Sequence, residues 1–166
     1  MCNQDHLQNI SLTSLNGYLS RRIEAYIATL LRPYGLGVEQ MIALMILAKN
    51  SDIFGDECQK HKKKNSCMNV SQLSEFLLKD KTTTSRLITS LEQKGFVKKF
   101  YDSKKDKRIV YVELTKQGEE KCKEIESSNI KSQTDEIFEK ALDKNEKEAF
   151  KQSLLKILEV LDEKAK

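Results

Sequence analysis

Apolar side chains between Leu12 and Leu31 fall at Leu12, Leu15, Leu19, Ile23, Tyr26, Ile27 and Leu30. Three-and-four spacing places them on one stripe and predicts an amphipathic helix. Arg32-Pro33-Tyr34-Gly35 ends it, because proline and glycine punctuate there. Val38 to Ala48 is apolar on most sides (Met41, Ile42, Leu44, Met45, Leu47), which predicts a buried central helix. From Asn50 to Cys67 the period vanishes. A connection of roughly eighteen residues is long for a compact domain and calls for a function or for mobility. Helical spacing returns from Ser71, a good N-cap, to Leu78, with Leu73 and Leu77 facing inward. After the break Lys79-Asp80, a further helix is expected over Lys81 to Lys94, capped by Asp80 and stopped by Gly95. Its stripe is Leu87, Ile88 and Leu91; one turn back stands the semi-polar Thr84, so the stripe is weak at its start.

The period then changes to two. Phe96 to Tyr101 and Ile109 to Leu114 read as strands joined by the charged tip Asp102 to Arg108, hence a hairpin. The C-terminal third is helical again. Thr115 caps a helix that carries Cys122, Ile125 and, further on, Ile137 and Phe138. Asp143 and Glu146 have capping-box spacing and open a last helix striped by Phe150, Leu154, Ile157, Leu158 and Leu161. The fold class expected is mostly α with a small β-hairpin wing. It is a winged helix-turn-helix over residues 38–114, with a long loop at 50–67, between an N-terminal dimerisation helix (1–37) and C-terminal dimerisation helices (115–166). The amphipathic first and last helices can bury their stripes against one another across a two-fold axis.

The chain has 166 residues and a net charge of +4, but the charge is uneven. Residues 60–108 hold 14 basic and 5 acidic side chains, while 1–59 hold 4 and 6 and 109–166 hold 11 and 14. A central basic footprint suits a polyanion. No stretch approaches the ~20 apolar residues of a membrane span, and Met1 to Ile10 carries no apolar secretory core. The expectation is a soluble cytoplasmic protein without a membrane partner. A nucleophile motif and a glycine-rich phosphate loop are both missing from the sequence, which argues against an enzyme.

The second helix of such a motif enters the major groove. Opposite the Leu87, Ile88, Leu91 stripe lie Thr82, Ser85, Arg86, Thr89 and Gln93, flanked by Thr83 and Ser90. Hydroxyls can bond to phosphates or base edges, and Arg86 can donate two bonds to a guanine edge. Threonine is a mediocre helix former, so the run Thr82 to Ser85 carries a cost that asks for a reason. Ser71, at the start of the preceding helix, joins the candidate contacts. Lys98, Lys99, Lys104, Lys105, Lys107 and Arg108 make the hairpin strongly positive, fit to lie along the backbone or to put an arginine into a minor groove. Asp106, where phosphate would repel it, is expected to hold Arg108 or the turn in shape.

The sequence resembles the MarR family of regulators. The resemblance runs through Val38-Glu-Gln-Met-Ile-Ala-Leu44, Val70-Ser-Gln-Leu-Ser-Glu75, Asp80-Lys-Thr-Thr-Thr-Ser-Arg-Leu87 and Leu91-Glu-Gln-Lys-Gly-Phe-Val97. It closes with Asp106-Lys-Arg108 and Val112-Glu-Leu-Thr-Lys-Gln-Gly118, the most specific part. It implies a homodimer on a palindromic operator in double-stranded DNA, usually a repressor released by a small ligand or by oxidation. By motif position Thr82, Thr83, Ser85 and Arg86 would face the major groove, and Arg108 would make the wing contact. Three departures stand out: Gly37 where a capping Thr or Ser is common, Ser74 for the usual alanine, and the longer 50–67 connection.

Cys58, His61 and Cys67 share that connection, and Cys2 or His6 can complete a tetrahedral zinc set. Cys58 and Cys67 can instead form a disulfide, with Lys62 to Lys64 lowering a thiol pKa. The bland alternative is an idle loop. Cys122, on an apolar stripe, is expected to be a small core residue. No cofactor is expected. An unidentified small-molecule effector would lodge between the winged lobe and the dimerisation helices. A winged-helix module for protein contacts is the remaining alternative, and the basic central segment argues against it.

Overall fold

The computed structural model describes residues 7–53, 67–101 and 109–164. Helix α1 (Leu12–Leu31) starts at Ser11, whose hydroxyl accepts from the Ser14 N–H at 3.2 Å. A 3₁₀ turn at Arg32–Tyr34 follows, and Gly35 closes it with φ of +66°, a conformation glycine takes without strain. Helix α2 spans Val38–Ile53, past the Ala48 boundary that the apolar pattern suggested. Neither proline nor glycine interrupts before Gly55, so polar residues carry the helix onward. Ala43, Leu44 and Leu47 on α2 are fully buried. Of the other apolar residues expected in a buried helix, Met41 and Met45 are half-buried and Ile42 is exposed, so one side of α2 stays open in one chain.

Cys67 does not close a loop. It opens a strand, β1 (Cys67–Asn69), too short to show a period in sequence. The wing is therefore a three-stranded antiparallel sheet in the order β1-β3-β2, with β2 at Val97–Tyr101 and β3 at Val110–Leu114. Met68 pairs with Val112, and both are buried. Phe100 pairs with Tyr111, and their rings stack at 5.6 Å.

Helix α3 (Val70–Leu77) is capped by Asn69 rather than Ser71. The Asn69 side chain accepts from the Gln72 N–H at 2.9 Å, and the Gln72 side chain accepts from the Asn69 N–H at 3.0 Å, a complete capping box. Ser71 lies inside the first turn. Leu78 then takes a left-handed conformation (φ +51°), and α4 (Lys81–Gln93) follows, capped by Asp80. Gly95, at φ of +77°, turns the chain into β2.

Thr115 joins three elements. Its hydroxyl donates to the Gly95 carbonyl at 2.6 Å and accepts from the Gly118 N–H at 3.1 Å, starting α5 (Lys116–Glu126). A Cβ on Gly118 would lie 2.0 Å from the Phe96 carbonyl oxygen, so no side chain fits there. The glycine that closes the most specific sequence motif is thus fixed by close backbone approach. The single helix expected after Thr115 is two helices, α5 and α6 (Ile130–Ala141). Between them Ser127 and Ser128 donate hydroxyl bonds to the Lys123 and Ile125 carbonyls, drawing off the last acceptors of α5.

The chain divides into two compact units, Met1–Ser128 and Asn129–Lys166. In the first, Leu31, Leu44, Leu73, Ile88, Leu91 and Val112 are buried completely. Cys122 is buried too, as the apolar stripe suggested, and its thiol lies 3.6 Å from the Leu44 carbonyl. Burial, then Glu126 and Glu119, push that thiol up to about 11. In the second unit α7 (Lys144–Lys164) opens with the expected capping box. The Asp143 carboxylate accepts from the Glu146 N–H, and the Glu146 carboxylate from the Asp143 N–H. Phe138 stacks on Phe150 at 6.3 Å. No single helix among the described residues is long and apolar enough to cross a membrane.

Candidate nucleic-acid interface

The local sequence fixes the start of α4. Asp80 Oδ1 accepts from the Thr83 N–H at 2.9 Å, and Oδ2 accepts from the Thr83 hydroxyl at 2.6 Å. Those two bonds, the side-chain one first, hold the Asp80 carboxyl below its ordinary value of 3.8. The ionised carboxylate also sits at the positive end of the helix dipole. Thr84 turns inward and donates to the Asp80 carbonyl at 3.0 Å. That bond removes the problem posed by a hydroxyl in the core: Thr84, Ile88 and Leu91 form the buried stripe, all at 0% exposure, and Leu87 is only half-buried beside it.

With that stripe anchored, Thr82, Thr83, Ser85, Arg86, Thr89 and Gln93 are all exposed. The hydroxyl-and-arginine face read from the sequence is an outward face. Thr83 spends its hydroxyl proton on Asp80, while its backbone remains at the open first turn. Thr89 donates to the Ser85 carbonyl at 2.9 Å. Ser90 stands apart: it is half-buried, and its Oγ accepts from Gln40 Nε2 at 2.9 Å. Ser71 is half-buried on α3, where its carbonyl accepts from the Ser74 hydroxyl. That bond explains how a serine is tolerated at the buried position 74.

The wing is tied to α4 by a contact that sequence periodicity does not reveal. Glu92 accepts from the Lys99 N–H at 3.2 Å through one oxygen and pairs with the Lys99 ammonium at 2.8 Å through the other. Lys99 Nζ also donates to Thr89 Oγ1 at 2.9 Å. The Lys99 side chain, then its backbone N–H, hold the Glu92 carboxyl below its ordinary 4.5. The only sequence signal is a glutamate and a lysine on opposite sides of a glycine turn. Lys98 pairs with Glu113 at 2.7 Å. Glu113 is 8% exposed, and a carboxylate so placed needs a cation.

Lys104, Lys105, Lys107 and Arg108 lie outside the described residues, as do Cys58, His61, Cys2 and His6. Cys67 is half-buried in β1. Among the described residues no group of three or more His, Cys, Asp or Glu side chains could hold a metal ion.

A two-helix unit with a tight turn, an exposed polar second helix and an antiparallel three-stranded wing defines a winged helix-turn-helix protein. A family model described as transcriptional regulator SarA/Rot matches residues 25–125. The chain belongs to that family of DNA-binding transcriptional regulators and is not an enzyme. Its fold is that of the MarR-type regulators, as the motifs suggested. A crystal structure of the Staphylococcus aureus MepR–DNA complex aligns with TM-score 0.74 at 19% identity, covering 92% of this chain and 99% of that one. A cysteine-to-serine mutant of Escherichia coli MarR complexed with operator DNA aligns with TM-score 0.73 at 21% identity, over 91% and 96%. AbsC, a MarR family transcriptional regulator from Streptomyces coelicolor, aligns with TM-score 0.70 at 19% identity, over 92% and 97%. No curated protein matches the chain.

Proposed function

We propose that the chain is a cytoplasmic repressor that binds a palindromic operator as a homodimer and is released by a small ligand or an oxidant. The observation that carries this reading is the face of α4: Thr82, Ser85, Arg86 and Thr89 point to solvent while Thr84, Ile88 and Leu91 are sealed in the core. Laid in a major groove, that face puts the Arg86 guanidinium against a guanine edge and short hydroxyls against the backbone. The similar MepR and MarR proteins were crystallised with DNA, which supports the same use here. The apolar stripe of α7 supports the homodimer: Ile157, Leu158 and Leu161 are each more than half exposed in one chain. A two-fold pair reads two half-sites about one helical turn apart.

The experiment is selection of bound duplexes from a random pool, with and without reducing agent and chelator. The proposal expects a two-fold symmetric site whose recovery falls steeply with salt. Recovery of asymmetric sites only, or of no duplex in dilute buffer, rejects it. An added gene for the protein should lower, not raise, transcription from a promoter carrying the selected site.

A further inference from the structure

Gln40, on the first turn of α2, bridges two parts of the chain that lie fifty residues apart. Its Oε1 accepts from the Gly37 N–H at 3.1 Å and from the Lys94 ammonium at 2.8 Å. Its Nε2 donates to Ser90 Oγ at 2.9 Å. The amide orientation is forced, because a backbone N–H and an ammonium can only donate, so the oxygen must face them. Lys94 completes the clasp by donating to the Gly35 carbonyl at 2.6 Å. Ser90 lies in the last turn of α4 and Lys94 caps it, the Lys94 N–H bonding to the Ser90 carbonyl at 3.2 Å. A cation there also meets the negative end of the helix dipole. Gly35 and Gly37 are the junction between α1 and α2. Lys121 of α5 reaches the same junction, its ammonium 5.9 Å from the Tyr34 ring centre.

We propose that Gln40 is a positioning residue that fixes the C-terminal end of α4 to the α1–α2 junction and so sets the angle at which the reading face is presented. The proposal rests on the reading of α4 as the DNA-contacting helix. Packing of Ile88 and Leu91 holds α4 in the core, and the Lys99 bonds to Glu92 and Thr89 tie it to the wing. The Gln40 bonds are directional contacts that tie its far end to the α1–α2 junction as well. In a two-fold pair, the angle of α4 relative to α1 sets the separation of the two reading helices, which the DNA registers as half-site spacing. Gln40 therefore acts on spacing preference rather than on base choice.

The test compares Gln40→Leu, Gln40→Glu and Lys94→Met in the full-length chain against operators whose half-sites are moved apart by one base pair. Gln40→Leu keeps the size and loses every bond. Gln40→Glu keeps both acceptor contacts, and the Ser90 hydroxyl can turn to donate. Lys94→Met changes an exposed side chain and leaves the core alone, so it reports even where Gln40→Leu folds poorly. The expected result is that Gln40→Leu and Lys94→Met lower the preference for the best spacing about threefold to tenfold, the size of one lost hydrogen bond. Gln40→Glu should retain it, and the salt dependence of all three should match the parent. A Lys94→Met protein that keeps the parent's spacing preference, or a Gln40→Glu protein that loses it, overturns the proposal. If the parent itself shows no spacing preference on any duplex, the reading of α4 fails first and this proposal falls with it.

Discussion

Helices α4 and α7 both leave one face open to solvent, and the two faces have opposite chemistry. On α4 the open face is Thr82, Ser85, Arg86 and Thr89, set on a fully buried stripe. On α7 it is Leu154, Ile157, Leu158 and Leu161, at 39% to 57% exposure. The first face has no reason to leave water unless a polar, charged surface replaces it. The second loses free energy wherever it stays wet. Complete burial of a leucine contributes about 1.5–3 kcal/mol, so covering what remains open on four such residues contributes several kcal/mol. On the proposed reading, the first face supplies information and the second supplies association energy. A two-fold regulator needs both, on different helices, so that changing one leaves the other intact.

The largest expected effect comes from charging the apolar face. Leu158→Lys combined with Leu161→Lys should convert the protein to a monomer in sedimentation and lower operator affinity by at least about a hundredfold, since each buried charge costs several kcal/mol. A dimer that survives both changes breaks the comparison on its α7 side. Gly118→Ala comes next. Overpacking against a backbone carbonyl should cost about 1–3 kcal/mol or more, read as a lower urea midpoint, while the α7 face is untouched. Arg86→Ala should cost ~1–3 kcal/mol of discrimination at a single base pair without changing the urea midpoint or the dimer. Equal loss on every sequence would assign Arg86 to the backbone instead.

Acid sharpens the α4 side alone. The Asp80 carboxyl is held below 3.8 in the folded chain by Thr83, so its contribution is present above 3.8 and is lost as pH falls through the lower folded value. The stability difference between the parent and Asp80→Asn should therefore shrink as the pH is taken well below 3.8; a difference that persists unchanged there contradicts the cap. The smallest effect is at Leu78, which is 91% exposed and left-handed. Leu78→Gly should stabilise by roughly 1 kcal/mol, because glycine removes the Cβ clash and little apolar burial is lost. Destabilisation would mean that the leucine packs in a way its exposure hides.

What the sequence made legible followed local rules. The extents of α1 and α4, the Asp80, Thr115 and Asp143–Glu146 caps, and the glycine turn at position 95 each depend on residues within four positions of one another. The stripe expected on α1, by contrast, is not buried in one chain: Leu12, Leu15, Leu19 and Tyr26 are exposed. Three features escaped for physical reasons. Strand β1 is three residues long, and its place in the sheet depends on pairing with Val112, far along the chain. Asn69 and Ser71 are both good caps, and only the reciprocal Gln72 contact selects the former. The break between α5 and α6 carries neither proline nor glycine, only serines whose hydroxyls compete for the backbone. At the site, exposure of the α4 face was readable from its period. Its attachments were not, because Glu92–Lys99 crosses a turn and Gln40–Ser90 crosses the domain.

Chemical interference on a selected operator tests the central claim most directly. Dimethyl sulfate methylates guanine N7 in the major groove and adenine N3 in the minor groove, and interference reports which groove the protein occupies. If α4 reads base edges, guanine methylation should block binding at symmetric positions about one helical turn apart, and Arg86→Ala should erase one symmetric pair of those signals. Binding that ignores guanine N7 and is blocked only by adenine methylation would contradict the account.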